Sequence, residues 1–215
     1  MIGNEIYKFA QELWPINRSI TGVGVRETLK KISKHLPKLE IKSVPSGTQV
    51  FDWNVPKEWN VKEAYLITPN GEKICDFSKN NLHLVGYSIP FEGSVSFNEL
   101  KKHLYTIPDQ PNAIPYVTSY YKNRWGFCLT QKQFNALENG TYKVIIKSKL
   151  FDGKLNYGEI KIKGKSDKEI FLSTYICHPS MANNELSGPT VVTFLSKWLL
   201  ELIDTEYSYR IIFIP

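Results

Sequence analysis

The stretch from Glu169 to Cys177, Glu-Ile-Phe-Leu-Ser-Thr-Tyr-Ile-Cys, is almost continuously apolar. That pattern belongs to a strand buried on both faces, as in a parallel sheet, rather than to the alternating pattern of a half-solvated one. Leu186 to Leu202 follows with the length and apolar face of a covering helix (Val191, Val192, Leu195, Trp198, Leu199, Leu202), and Tyr209 to Ile214 is a second apolar strand. Strand, helix and strand at this spacing form a βαβ unit, so the fold class is α/β. The turn between the first strand and the helix lies at the carboxyl edge of the sheet, where open α/β sheets bind ligands, and it carries His178.

The rest of the chain divides by composition. Ile6, Phe9, Ala10, Leu13 and Trp14 have the spacing of an amphipathic helix that stops at Pro15, and Val25, Leu29 and Ile32 mark a second that stops at Pro37. Leu39 to Val44 alternates as a strand does. From about Gly47 aromatic residues and turn dipeptides become dense, with strands expected at Ala64 to Thr68, Tyr142 to Lys147 and Trp125 to Leu129, and short helices at Ser96 to Leu104 and Gln131 to Leu137. The expected organisation is a scaffold of residues 1–48 and 155–215 interrupted by a β-rich insert of residues 49–154.

Charge excludes rather than identifies. Lys and Arg total 27 against 21 Asp and Glu, a net +6, but the basic residues are scattered and form no nucleic-acid arm. No stretch approaches the ~18 apolar residues of a membrane span, and the first residues lack the basic and apolar regions of an export signal. Cys75, Cys128 and Cys177 are too few and too far apart for a disulfide framework or a cysteine-rich zinc site. A cytoplasmic protein is expected.

Residue chemistry leaves two readings of the 178–188 turn. His178 can ligate a metal through one nitrogen, with Asn183, Asn184 and Glu185 supplying oxygens, or it is a satisfied loop histidine beside three helix-capping residues. Cys177 is not expected to pair with His178 as a nucleophile, because neighbours on a strand point to opposite faces. His83, in apolar surroundings, reads as a hydrogen-bonded structural histidine, whereas His35 and His103 read as solvated. Gly22-Val23-Gly24 lacks the strand and spacing of a dinucleotide fingerprint. Tyr120, Tyr121, Arg124 and Trp125 could line a substrate wall or simply pack a core.

The segment Cys177-His178-Pro179-Ser180-Met181-Ala182-Asn183-Asn184-Glu185-Leu186-Ser187-Gly188 resembles the first metal motif of the zinc aminopeptidases, in which a histidine after a strand precedes an Ala-Asp-Asp-x-x-Ser-Gly type segment. The likeness is to bacterial aminopeptidase-like proteins labelled as polysaccharide-biosynthesis proteins, and it extends to Leu13 to Gly22, Val50 to Trp59 and Tyr120 to Cys128. It implies a three-layer zinc-peptidase-like scaffold with the insert over the cleft. It also implies a zinc site with His178 and Asn184 as metal residues, and Arg18, Tyr121, Arg124 and Trp125 toward a small peptide or glycan-related substrate. No catalytic residue is assigned, and a homo-oligomer is the expected partner. Two departures stand out: Ser180 replaces the aspartate that orients the histidine, and Asn184 replaces the bridging aspartate, with Glu185 able to substitute only if the turn shifts by one residue. The glutamate pair and later histidine of the motif set would lie beyond Pro215. This chain alone is expected to be inactive and to bind zinc weakly; a binding module without catalysis is the alternative.

Overall fold

A computed structural model describes residues 1–215. In chain order the principal elements are α1 (Ile2–Leu13), α2 (Val23–His35), β1 (Glu40–Pro45), β2 (Glu58–Ile67), β3 (Phe91–Ser96), β4 (Thr141–Phe151), β5 (Lys154–Ile162), β6 (Glu169–Tyr175), α3 (Ser187–Glu201) and β7 (Ser208–Ile214). They form two compact units, one of Met1–Glu58 with Asp152–Pro215 and the other of Trp59–Phe151. Residues 49–58 and 152–154, expected in the insert, group with the first unit.

The first unit is a mixed α/β body around a four-stranded sheet in the order β1-β5-β7-β6. β1 and β5 pair antiparallel, as do β5 and β7. β6 and β7 run parallel, Glu169 opposite Ser208 and Tyr175 opposite Ile214, so the expected βαβ unit closes through α3. Phe9 and Leu13 of α1, Val25, Leu29 and Ile32 of α2, and Phe194 of α3 pack with Ile160, Ile211 and Phe213 of the sheet. The β6 run is less buried than its composition predicts: Ile170, Phe171 and Tyr175 are exposed. No helix is long and apolar enough to cross a membrane.

The second unit centres on a sheet that places β2 beside β4 and β4 beside β3, with Phe91 opposite Ile146 in the antiparallel β3–β4 pair. Trp59, Tyr87, Trp125, Phe127 and Tyr142 fill it. The strand expected at 125–129 shortens to Phe127–Cys128, and the two short helices shorten to Phe97–Leu100, with a 3₁₀ turn at Lys101–His103, and Gln131–Asn135.

Two histidines expected in solvent are packed instead. His35 sits with its ring 4.5 Å from Phe9 and 5.3 Å from Phe194. His103 stacks 3.7 Å from Trp125 and its Nδ1 lies 3.0 Å from the Trp125 carbonyl. His83 is buried as expected, with Nδ1 2.8 Å from the Cys128 carbonyl.

Two glycines shape the loop between α1 and α2. Gly22 has φ +106°, a conformation that side chains resist. At Gly24, inside α2, a Cβ would lie 1.8 Å from the Asn17 carbonyl oxygen, so the helix touches the loop backbone there. Gly24→Ala should therefore push Asn17 and Arg18 outward and cost about 1–3 kcal/mol of stability by overpacking. Urea unfolding of the two forms measures it, and equal midpoints would show that the loop yields without cost.

Candidate functional site

The site is built where β6 ends. Burial alternates through Thr174, Tyr175 and Ile176, and the Ile176 amide still donates to the Ile214 carbonyl at 2.6 Å. The regular strand ends at Tyr175, so the alternation that should separate Cys177 from His178 no longer holds. The two side chains meet, Cys177 Sγ lying 3.3 Å from His178 Nδ1, which corrects the sequence expectation. The chain then turns through Ser180 at φ +43°, whose Oγ donates to the Trp14 carbonyl at 3.1 Å.

Next comes a single π-helical turn, Ala182–Leu186, in which the Leu186 amide donates back to Met181 O at 3.1 Å. A π turn accommodates one more residue than an α turn and recurs at functional sites. Here Glu185 is turned inward and buried, with Oε2 3.0 Å from His178 Nδ1, rather than standing outward in place of Asn184. Asn184 is exposed; its carbonyl and side-chain oxygens accept from the Tyr175 hydroxyl at 2.8 and 3.3 Å, and the Tyr175 ring lies 5.2 Å edge-on from His178.

Arg18 enters the same cluster from the loop after α1. Sequence reading placed it toward substrate, but it is 1% exposed and turned inward. Its Nη1 donates to the Leu13 carbonyl at 2.7 Å, its Nε donates to the His178 carbonyl at 3.0 Å, and Nε lies 3.5 Å from Glu185 Oε1. Burial pulls the guanidinium below its ordinary pKa while Glu185 opposes the shift.

The Glu185 carboxylate thus lies between the Arg18 guanidinium and His178 Nδ1, with Cys177 Sγ beside the same nitrogen. A carboxylate behind the far nitrogen is the arrangement that metal-ligating histidines use. Cys177 Sγ, His178 Nδ1 and Glu185 Oε2 all lie within 4.8 Å of one another, so this face could itself be mistaken for a cation cage. Two features oppose that. Arg18 already brings positive charge to Glu185, and burial, aided by Glu185, pushes the Cys177 thiol up to about 12, far from the thiolate a metal or a nucleophile needs. Of the residues in this turn, His178 is the one that could hold a metal, with Glu185 at its Nδ1.

Tyr121, Arg124 and Trp125 belong to the second unit. Arg124 is occupied locally, its Nε donating to Ser119 Oγ at 3.1 Å, Nη1 to the Tyr105 hydroxyl at 3.2 Å and Nη2 to the Thr118 carbonyl at 2.8 Å. Trp125 is buried between Phe91 and His103, which makes it core rather than substrate wall. Tyr121 alone of the three is largely exposed, at 82%. Glu185 was the residue undervalued in the sequence, since the signal for it is the π turn, which no periodicity announces.

The mixed α/β fold is similar to that of solved aminopeptidase structures. The chain belongs to the DUF4910 family, described as a domain of unknown function, whose model matches residues 7–215. It is 54% identical over 99% of its length to a Clostridium acetobutylicum protein provisionally named a polysaccharide biosynthesis protein with aminopeptidase-like domain. A crystal structure of a provisionally named peptidase from the same organism has 54% identity and a TM-score of 0.96 over 99% of this chain and 50% of that one. The zinc aminopeptidase of Bacillus subtilis shares the fold at 11% identity, with a TM-score of 0.59 over 97% of this chain and 60% of that one. The chain spans about half the length of the curated relative, 49%.

The division of roles in the second unit is testable by stability. Trp125→Ala should cost about 3–5 kcal/mol, as for a core aromatic, whereas Tyr121→Ala should stay within about 0.5 kcal/mol of the parent. Thermal unfolding of the two variants checks this; a neutral Trp125→Ala would reopen Trp125 as a recognition residue.

Proposed function

We propose that this chain supplies the first metal-ligand turn of a zinc-dependent, aminopeptidase-like hydrolase. The observation that carries the reading is the 3.0 Å hydrogen bond between His178 Nδ1 and the buried Glu185 carboxylate. It fixes the ring and directs the Nε2 lone pair to a cation. His178 is the principal ligand, and the exposed Asn184 amide oxygen is the second. Zinc, when bound, would act as the Lewis acid for amide hydrolysis. Glu185 orients the ligand and raises its basicity, the part that Ser180 leaves vacant.

In the same reading the first unit is the three-layer peptidase-like scaffold and the Trp59–Phe151 unit is the insert within it. The substrate is a small peptide or a glycan-linked one, the second prompted by the relative's name. Cys75, Cys128 and Cys177 are all free and buried, which suits a reducing cytoplasm. A neutral amide at position 184 is a weaker ligand than a carboxylate, and that favours, as a second reading, a scaffold that binds without catalysing.

Cobalt or zinc titration of the complete gene product tests the proposal. His178→Ala should lower metal affinity by tenfold or more, and Asn184→Asp should raise it, because a carboxylate replaces an amide in the coordination shell. The His178→Ala protein should also lose about 1–3 kcal/mol of metal-free stability, since Glu185 Oε2 is left without its donor. Affinity unchanged in both variants would remove the metal site and leave the binding reading.

A further inference from the structure

We propose that the free edge of β6 and the sheet face beside it are the docking surface for a further parallel strand with its crossover helix, supplied by the part of the longer protein that lies outside residues 1–215. The sheet places β6 outermost, paired with β7 alone. The Ile176 amide donates toward β7, to the Ile214 carbonyl, so by the alternation of an extended strand the amides of Phe171, Ser173 and Tyr175 point the other way, to the free edge. The strand, Glu-Ile-Phe-Leu-Ser-Thr-Tyr, has no proline and carries charge only at Glu169. It lacks those two means by which proteins keep an exposed edge from pairing.

The two faces of the sheet differ. Residues of α1, α2 and α3 all join the core built on Ile160, Ile211 and Phe213. The opposite face carries Phe171 and Tyr175 of β6 directly beside Arg210 and Ile214 of β7, and Phe171, Tyr175 and Ile214 are all exposed. The charges there are already matched, since Arg210 donates to Glu169 at 2.9 and 3.1 Å and to Glu159 at 3.2 Å. What this face leaves for a partner is therefore apolar.

One connection fills both vacancies. From β6 to β7 the chain crosses with α3 over the first face. Crossovers between parallel strands are right-handed, so a chain passing from β7 back beyond β6 travels in the opposite direction and must carry its helix on the opposite face. A strand added at the free edge thus brings an apolar helix to Phe171, Tyr175 and Ile214. The curated relative has the material, because this chain accounts for 49% of its length. A second copy fits less well: two β6 edges paired about a two-fold axis perpendicular to the sheet would keep both sets of helices on the covered face and leave the other bare. The place where crossovers leave for opposite faces is where open α/β sheets bind ligands, and His178 follows directly on the end of β6. The docked strand would wall the far side of that crevice. This last consequence rests on the metal-ligand reading above, whereas the docking itself does not.

Two measurements on the metal-free complete gene product test the proposal. Hydrogen exchange reads the strand: the Phe171 and Ser173 amides should exchange at least about a hundredfold more slowly than unpaired ones. Photocrosslinking from Phe171→p-benzoylphenylalanine, mapped by peptide mass spectrometry, reads the cover: the cross-link should run within one chain to a segment outside residues 1–215. Should that variant fail to fold, the same probe at Ser173, on the same face, replaces it. Rapid exchange at the two amides overturns the proposal, and so does any other cross-linking result, whether between two chains, only to residues 1–215, or none. Cobalt titration is scored separately. A docked strand in a protein that binds no cobalt leaves the docking and removes the metal site; cobalt binding with freely exchanging amides does the reverse.

Discussion

Glu185 is an ionisable carboxyl with no access to water, and the arrangement around it follows from that. Desolvating such a group costs several kcal/mol even after relaxation, so it must be met by charge and hydrogen bonds from nearby. Arg18 supplies the charge and His178 the hydrogen bond, and each comes from a different part of the chain. The end of α1, the end of β6 and the start of α3 are therefore joined at one point. Leu13 O, Trp14 O and His178 O accept from Arg18 and Ser180 in the same knot. Removing either charge would leave the other buried without compensation, a loss larger than the net worth of the pair.

The knot has a polarity that bears on chemistry. Behind His178, Nδ1 meets both Glu185 Oε2 and Cys177 Sγ, and the main-chain carbonyl accepts from Arg18. The neighbouring thiol does not compete, because burial keeps it protonated. A strand end, a positive-φ serine and a π turn were all needed to bring a side chain seven positions away onto the histidine. Such irregular backbone is costly unless surrounding contacts determine it, and here Trp14 and Tyr175 provide those contacts.

Much of this was legible in the sequence and some of it could not be. The βαβ unit, both N-terminal helices and the place of His178 follow from apolar periodicity, which records burial, and burial is what those elements share. The exposure of Ile170 and Phe171 was not legible, since a residue's hydrophobicity does not say what covers it in the fold. His35 and His103 were misplaced because nearby lysines suggested solvent, while each ring packs on an aromatic that is distant in sequence, His35 edge-on to Phe9 and His103 stacked on Trp125. Arg18 was read as a substrate residue from the resemblance, and Arg124 from the aromatic cluster around it. In both cases main-chain carbonyls and polar side chains of the fold, invisible before folding, take up the guanidinium.

The two departures that weakened the motif reading, Ser180 and Asn184, are better understood together with Glu185. A histidine ligand needs one acid behind it, and that acid can approach from either side of the turn. With Ser180 Oγ committed to Trp14 O, the position after the histidine has a structural task, and the carboxylate arrives from the π turn instead. A second carboxylate at position 184, next in sequence to Glu185, would add negative charge beside a pair that Arg18 balances one to one. The neutral amide avoids that repulsion at the expense of ligand strength. Glu185 therefore faces inward to His178 and Arg18, while Asn184 faces outward with its oxygens accepting from Tyr175.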